Sequence, residues 1–143
     1  MATGMTKQFR AIVIDPEKQI VDVVVTTGTH EDTRALVGAS SLDNFRIADH
    51  PESFDYGWVD DTGLTRGQPI YAFKFNIRPD NPIAGRCLFI GADKETGATT
   101  DTKFPLDVLR DSIEWLGLIV PEVFWEETEQ GSRAIVTYAR VKA

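Results

Sequence analysis

The sequence predicts an α+β protein: a mostly antiparallel sheet of about seven strands with two helices packed on one face. Three observations carry that expectation. Short runs rich in valine, isoleucine and aromatic residues recur between turn residues, at positions 10–15, 20–26, 54–59, 70–76 and 86–90. Helix cap signals bracket only two segments, 30–37 and 105–116. No linker, repeat or low-complexity stretch divides the 143 residues, a length typical of one domain. Residues 1–8 are expected to be a flexible polar lead, and residues 9–143 a single domain.

The elements follow in order. Residues 10–15 are an apolar run closed by Pro16. Residues 20–26, with three consecutive valines, form the returning strand of a hairpin. Thr29 suits the cap of a helix over 30–37. Glu31 and Asp32 favour its dipole, and Gly38 can end it in a left-handed conformation. Residues 45–48 read as an edge strand and 49–53 as a loop. Strands at 54–59 and 70–76 are joined through Gly63, Gly67 and Pro69. Residues 78–83, with two prolines, are expected to be irregular, residues 86–90 a strand buried on both faces, and residues 91–102 a polar loop. The better-defined helix is placed at 105–116. Pro105 suits the first position, Phe104, Val108, Leu109, Ile113 and Leu116 repeat at helical spacing, and Gly117 stops it. Residues 123–127 and 134–141 are expected to form a last hairpin around Gly131.

Composition narrows the function classes. The single cysteine, Cys87, lies in an apolar run and has no internal partner, which fits a buried thiol in a reducing compartment. No signal-peptide pattern or membrane-length apolar run is present, so the expectation is a cytoplasmic protein of a bacterial host with no membrane contact. The net charge of −7 is unevenly distributed. Residues 43–61 hold six acids against Arg46, and residues 111–129 hold six acids and no base. Such a surface disfavours direct binding of a phosphate backbone and favours docking on a basic protein surface.

Six rings alternate along two strands, Phe54, Tyr56 and Trp58 on one, Tyr71, Phe73 and Phe75 on the other. Either they pack in the core or they form a stacking platform for nucleic acid, and the neighbouring Asp55, Asp60 and Asp61 favour the core. The loop from Gly91 to Gly97 matches neither a phosphate-binding loop nor a calcium loop. Two histidines, His30 and His50, and one distant cysteine fall short of a zinc site. Asp60/Asp61 and Glu126/Glu127 are sequence neighbours, which on a strand point to opposite faces. No catalytic residue, metal or cofactor is expected.

Three short motifs carry a resemblance. Leu36-Val37-Gly38 looks like a helix ending in Val-Gly-Gly. Asp60-Asp61-Thr62-Gly63-Leu64 resembles an acidic turn of the form Asp/Asn-Glu-x-Gly-Leu. Ile83-Ala84-Gly85 followed by Phe89-Ile90-Gly91 is similar to Ile-x-Gly and a strand ending in glycine. Together, over residues 11–117, they resemble the DUF3846 family, small proteins of unknown function common in phages and other mobile elements. Family members often continue Gly-Leu with Pro and Asn, where this chain has Thr65-Arg66-Gly67-Gln68. The resemblance implies an accessory role and brings no catalytic residues.

The leading expectation is therefore a non-enzymatic acidic protein that binds a host or phage macromolecule, for example to inhibit a nucleic-acid-handling protein. Its contacts would be Asp60, Asp61, Glu122, Trp125, Glu126, Glu127 and Glu129, with Trp125 as aromatic anchor. The alternative is a site for a nucleotide-like or anionic metabolite at the glycine turns, using Gly63, Arg66, Arg86, Gly91 and Lys94. Self-association through strand edges is a third reading.

Overall fold

The computed structural model describes residues 7–65, 67–76 and 78–141. The first six residues of the expected lead, with Arg66, lie outside the described residues. In chain order the elements are β1 (Phe9–Asp15), β2 (Ile20–Thr26), α1 (His30–Val37), β3 (Leu42–Asp49), β4 (Ser53–Asp60), β5 (Ile70–Phe75), β6 (Arg78–Ala84), β7 (Cys87–Asp93), β8 (Thr99–Thr100), α2 (Leu106–Asp111), β9 (Ile113–Thr128) and β10 (Gly131–Arg140). The fold is α+β and its strands pair antiparallel, but as ten strands in two sheets rather than about seven in one.

The first sheet has the order β2-β1-β7-β4-β3, with β8 added to one end of β7. Strand alternation sorts its side chains onto two faces. Ile12, Ile14, Val21, Cys87 and Phe89 point to an inner core that also takes Phe73 and Phe75 from β5, Phe104, and Leu109 from α2. The rings interlock edge-on: Phe73 lies 5.1 Å from Phe75, and Phe89 lies 5.8 Å from Phe104. The opposite face carries Ala11, Leu88 and Ile90, which α1 covers with Val37 and Leu36. The helix α1 forms where its caps predict. Thr29 Oγ1 accepts a hydrogen bond from the Asp32 amide at 3.2 Å, and Gly38 closes the helix at φ 78.

The second sheet has the order β10-β9-β5-β6. It overturns the helix expected at 105–116. Only residues 106–111 are helical; Ser112 stops the turn, its amide bonding Leu109 O and its hydroxyl bonding Val108 O. From Ile113 the chain is a strand because residues 113–119 find β5 as an antiparallel partner. That long-range ladder outweighs the local helical periodicity, and Val108 of the stripe is left exposed. Two further expectations are corrected. Residues 78–84 form an edge strand, the place where Pro79 and Pro82 are tolerated. The loop at 91–102 is partly strand, because β7 runs to Asp93 and β8 pairs with it.

Candidate functional site

The ladder between β5 and β9 ends at Ile119, whereas β9 and β10 stay paired out to Thr128 and Gly131. The last part of this hairpin is therefore a two-stranded ribbon. Such ribbons are marginal by themselves, and this one leaves Phe124 53% and Trp125 70% exposed. Register places its residues on two faces. Trp125 and Glu127 share one face with Val123. Glu122, Phe124 and Glu126 share the other with Ile135 and Arg133. The expected cluster of Glu122, Trp125, Glu126, Glu127 and Glu129 is thus divided, so that each face carries one exposed aromatic ring and at least one carboxylate. Glu126 pairs with Arg133 at 2.8 Å, and Glu127 accepts the Ser132 hydroxyl at 2.8 Å. Glu122 and Glu129 have no ion-pair partner among the described residues. Phe124 itself was missed in the sequence; strand parity beside Glu122 and Glu126 is the signal that could have found it.

The second sheet curls until β10 approaches β6, and a cleft of about 710 Å³ opens between them and the edge strand β3. Its walls include Asp43 and Phe45 of β3, Leu64 from the acidic turn, Ile83 of β6 and Arg133 of the ribbon. The turn of Asp60 and Asp61 borders the same end of the molecule. Asp60 Oδ1 accepts the Thr62 amide and hydroxyl, and Asp61 accepts the Ser41 hydroxyl at 2.7 Å. Asp60 therefore holds its own turn and Asp61 ties that turn to the segment before β3, while Leu64 of the turn lines the cleft beside the ribbon.

The glycine-turn site does not assemble. Gly63 packs on Ala84, and Arg86 lies over Gly38 at the end of α1, in a separate cleft of about 430 Å³ near Asp60 and Tyr71. Gly91 and Lys94 are at the other end of β7. A Cβ at Gly91 would fall 2.7 Å from Asp101 O and overlap Thr100, so this glycine is required by β8 packing against it.

Comparison with family models, curated proteins and solved structures returns no match. The chemistry has to be read from the side chains alone.

The rings of β4 correct another expectation. Phe73 and Phe75 are core, but Phe54, Tyr56 and Trp58 are half-buried on the outer face of the first sheet. Their strand turns Ser53, Asp55 and Gly57 inward instead, and Gly57 is the size it is because Phe45 lies over it, 2.6 Å from where a Cβ would be. Arg46 stacks 3.8 Å above the Phe54 ring centroid, and Lys94 lies 4.8 Å from it while pairing with Asp49. That Lys94 contact is what holds the Asp49 carboxyl below its usual range. Between these rings and the first turn of α1 is a cavity of about 200 Å³ lined by Tyr56, Trp58, His30, Thr33, Ile90 and Thr99.

Inside, Asp55 is 1% exposed and accepts from His50 Nε2 at 2.7 Å and from the Lys103 amide at 3.3 Å. The pair was not visible in the sequence, because the turn from His50 to Ser53 brings the ring back onto the strand. It fixes the loop after β8 to β4. A carboxylate-oriented histidine is half of a general-base arrangement. The Ser53 hydroxyl beside it is buried without a partner and closed to a substrate. Cys87 is fully buried, and burial pushes its thiol far above the range in which a thiolate forms. Among the described residues no three His, Cys, Asp or Glu side chains are grouped to hold a metal, and no helix is long and apolar enough to cross a membrane.

Proposed function

We propose that this chain is a non-enzymatic accessory protein of phage or mobile-element type, DUF3846-like, that binds a basic protein partner in the cytoplasm of a bacterial host. The observation that carries the reading is the ribbon of β9 and β10, with Trp125 exposed on one face, Phe124 on the other, and four glutamates (122, 126, 127 and 129) around them. Large exposed rings on a segment that buries little are the usual anchors of an interface. Carboxylates around them steer the ribbon toward positive potential. Because both faces are furnished, the ribbon fits a groove better than a flat surface. A basic groove of the kind that holds a phosphate backbone has the matching shape and charge, which makes a nucleic-acid-handling protein the favoured partner. The acidic turn at Asp60 and Asp61 and the cleft beside it supply a second contact.

The test is capture of the partner from native-host lysate, read by mass spectrometry, with wild type, Trp125→Ala, and a triple change of Glu126, Glu127 and Glu129 to Lys. Losing an aromatic anchor worth about 2 kcal/mol weakens capture roughly thirtyfold. The triple variant should abolish it. Capture undiminished in both variants, by folded protein, rejects the ribbon as the contact surface.

A further inference from the structure

We propose that the outer face of β4 is a binding site for a single nucleotide, with the base held on Tyr56 and Trp58 and the phosphate at Arg46 and Lys94. This site is separate from the ribbon; Gly91 lines its cavity and Lys94 stands near it, while Gly63 and Arg86 of the glycine-turn alternative lie elsewhere. Three observations point to it. The cavity between the β4 rings and α1 measures about 200 Å³. It is smaller than a typical drug-sized pocket and admits one planar ring system. Its lining combines the rings of Tyr56 and Trp58 with the polar side chains of His30, Thr33 and Thr99, the residue types that stack a base and bond its rim.

The second observation is charge. The aspartate next in sequence to these rings, Asp55, points to the opposite side of the strand and is buried there. The groups beside Phe54 on the aromatic face are two cations and Asp49, which lies opposite Phe54 in the ladder and pairs with Lys94. Arg46 lies opposite Tyr56 across the β3–β4 ladder and stacks on Phe54, and Lys94 reaches the same ring. Phe54 is one ring spacing, 6.2 Å, from Tyr56, so the two cations stand beside the cavity rather than in its lining, within reach of a phosphate whose base lies on Tyr56. An Arg guanidinium preoriented on a ring is a fitting phosphate ligand.

The third is polarity along the site. At the other end, the first turn of α1 carries Glu31 and Asp32, which repel an anion. Asp49 engages Lys94, so a phosphate must share that ammonium, and Arg46 is the stronger contributor. The ligand is thereby oriented with its base toward α1 and its phosphate toward β3. Two cations beside one small cavity, rather than a basic groove, favour a free nucleotide over a strand.

The experiment is calorimetric titration of the full chain with nucleoside 5′-monophosphates and diphosphates, the matching nucleosides, inorganic phosphate, and a short single-stranded oligonucleotide. A nucleotide is expected to bind at least tenfold more tightly than its nucleoside, with no binding of phosphate alone. Arg46→Ala should lower affinity about tenfold, and Tyr56→Leu by as much or more, with thermal melts verifying that each variant is folded. Oligonucleotide binding that shows the same dependence on Arg46 and Tyr56 assigns the same base-and-phosphate site to strand ends. No binding of nucleotide or oligonucleotide at millimolar concentration overturns the proposal. So does binding indifferent to Arg46→Ala and Tyr56→Leu, or a nucleoside that binds as tightly as its phosphate ester.

Discussion

Replacing Asp55 with alanine should be among the most damaging single changes to the stability of this fold. The carboxylate is 1% exposed and accepts hydrogen bonds from His50 Nε2 at 2.7 Å and from the Lys103 amide, shared between its two oxygens at 3.3 Å. A hydrogen bond to a charged group contributes about 1.5–3 kcal/mol, and the long shared bond belongs at the lower end. Alanine also leaves the Lys103 amide without its acceptor, a further cost of about 1–3 kcal/mol. His50 is 23% exposed and can turn its nitrogen to water, which limits its share of the loss. The sum is about 3–4 kcal/mol, in line with removal of one member of a buried pair. For a chain of this size that lowers Tm by roughly 10 °C. Asp55→Asn keeps an acceptor for the Lys103 amide and should cost about half as much. Urea denaturation followed by circular dichroism, on Asp55→Ala, His50→Ala and the double variant, measures the coupling, expected near 1–2 kcal/mol. A loss under about 1 kcal/mol for Asp55→Ala, or strict additivity of the two single variants, would refute the view that this pair ties the β8 loop to β4.

Three other outcomes can be checked with the same material. Trp125→Ala should leave the urea midpoint within about 0.5 kcal/mol of wild type, because the ring is mostly in solvent; a large loss would mean that it packs against the fold. Cys87 should not react with a thiol reagent in the folded protein and should react fully in denaturant, since burial keeps the thiol neutral and out of reach; rapid native labelling would contradict the core placement. The Asp93 carboxyl is held below its usual 3.8 by the backbone amides of Thr96 and Glu95. A depressed value stabilises the fold above pH about 4 and loses that effect as pH falls through the folded value. The stability difference between wild type and Asp93→Asn should therefore be constant above about pH 5 and shrink below pH 4; a difference unchanged down to pH 2.5 would be inconsistent with it.

What could be read from the sequence was what local chemistry decides. Helix α1 occupies the expected residues because its two caps, Thr29 and Gly38, are adjacent to it in the chain. The first hairpin was legible for the same reason, with a Pro-led turn between two β-branched runs. The start of β9 was not, because its strand pattern is broken by a register shift against β5 between Ala72 and Phe73, which leaves Ile113 and Leu116 at a spacing that reads as helical. The β4 rings were assigned to the core on the acids flanking them. Of those acids only Asp55 points to the other face of the strand; Asp60 is at the far end of β4 and Asp61 in the turn after it, and the cations that share the rings' face come from β3 and from beyond β7. The ribbon acids were found individually, but their division between two faces depends on register, which composition does not contain.

The position of β7 has a consequence for how the chain is made. This strand joins β1 to β4 and is the middle of the first sheet, yet nearly ninety residues precede it. As the chain leaves the ribosome, the hairpin of β1 and β2 and the hairpin of β3 and β4 emerge with no strand to unite them. Each then displays an unfilled edge, and β1 also displays apolar residues. The nascent protein stays open to mispairing until residue 93 is available, and its collapse is a late, long-range event. A stop or a cleavage anywhere before β7 should thus yield an aggregating fragment rather than a smaller folded protein.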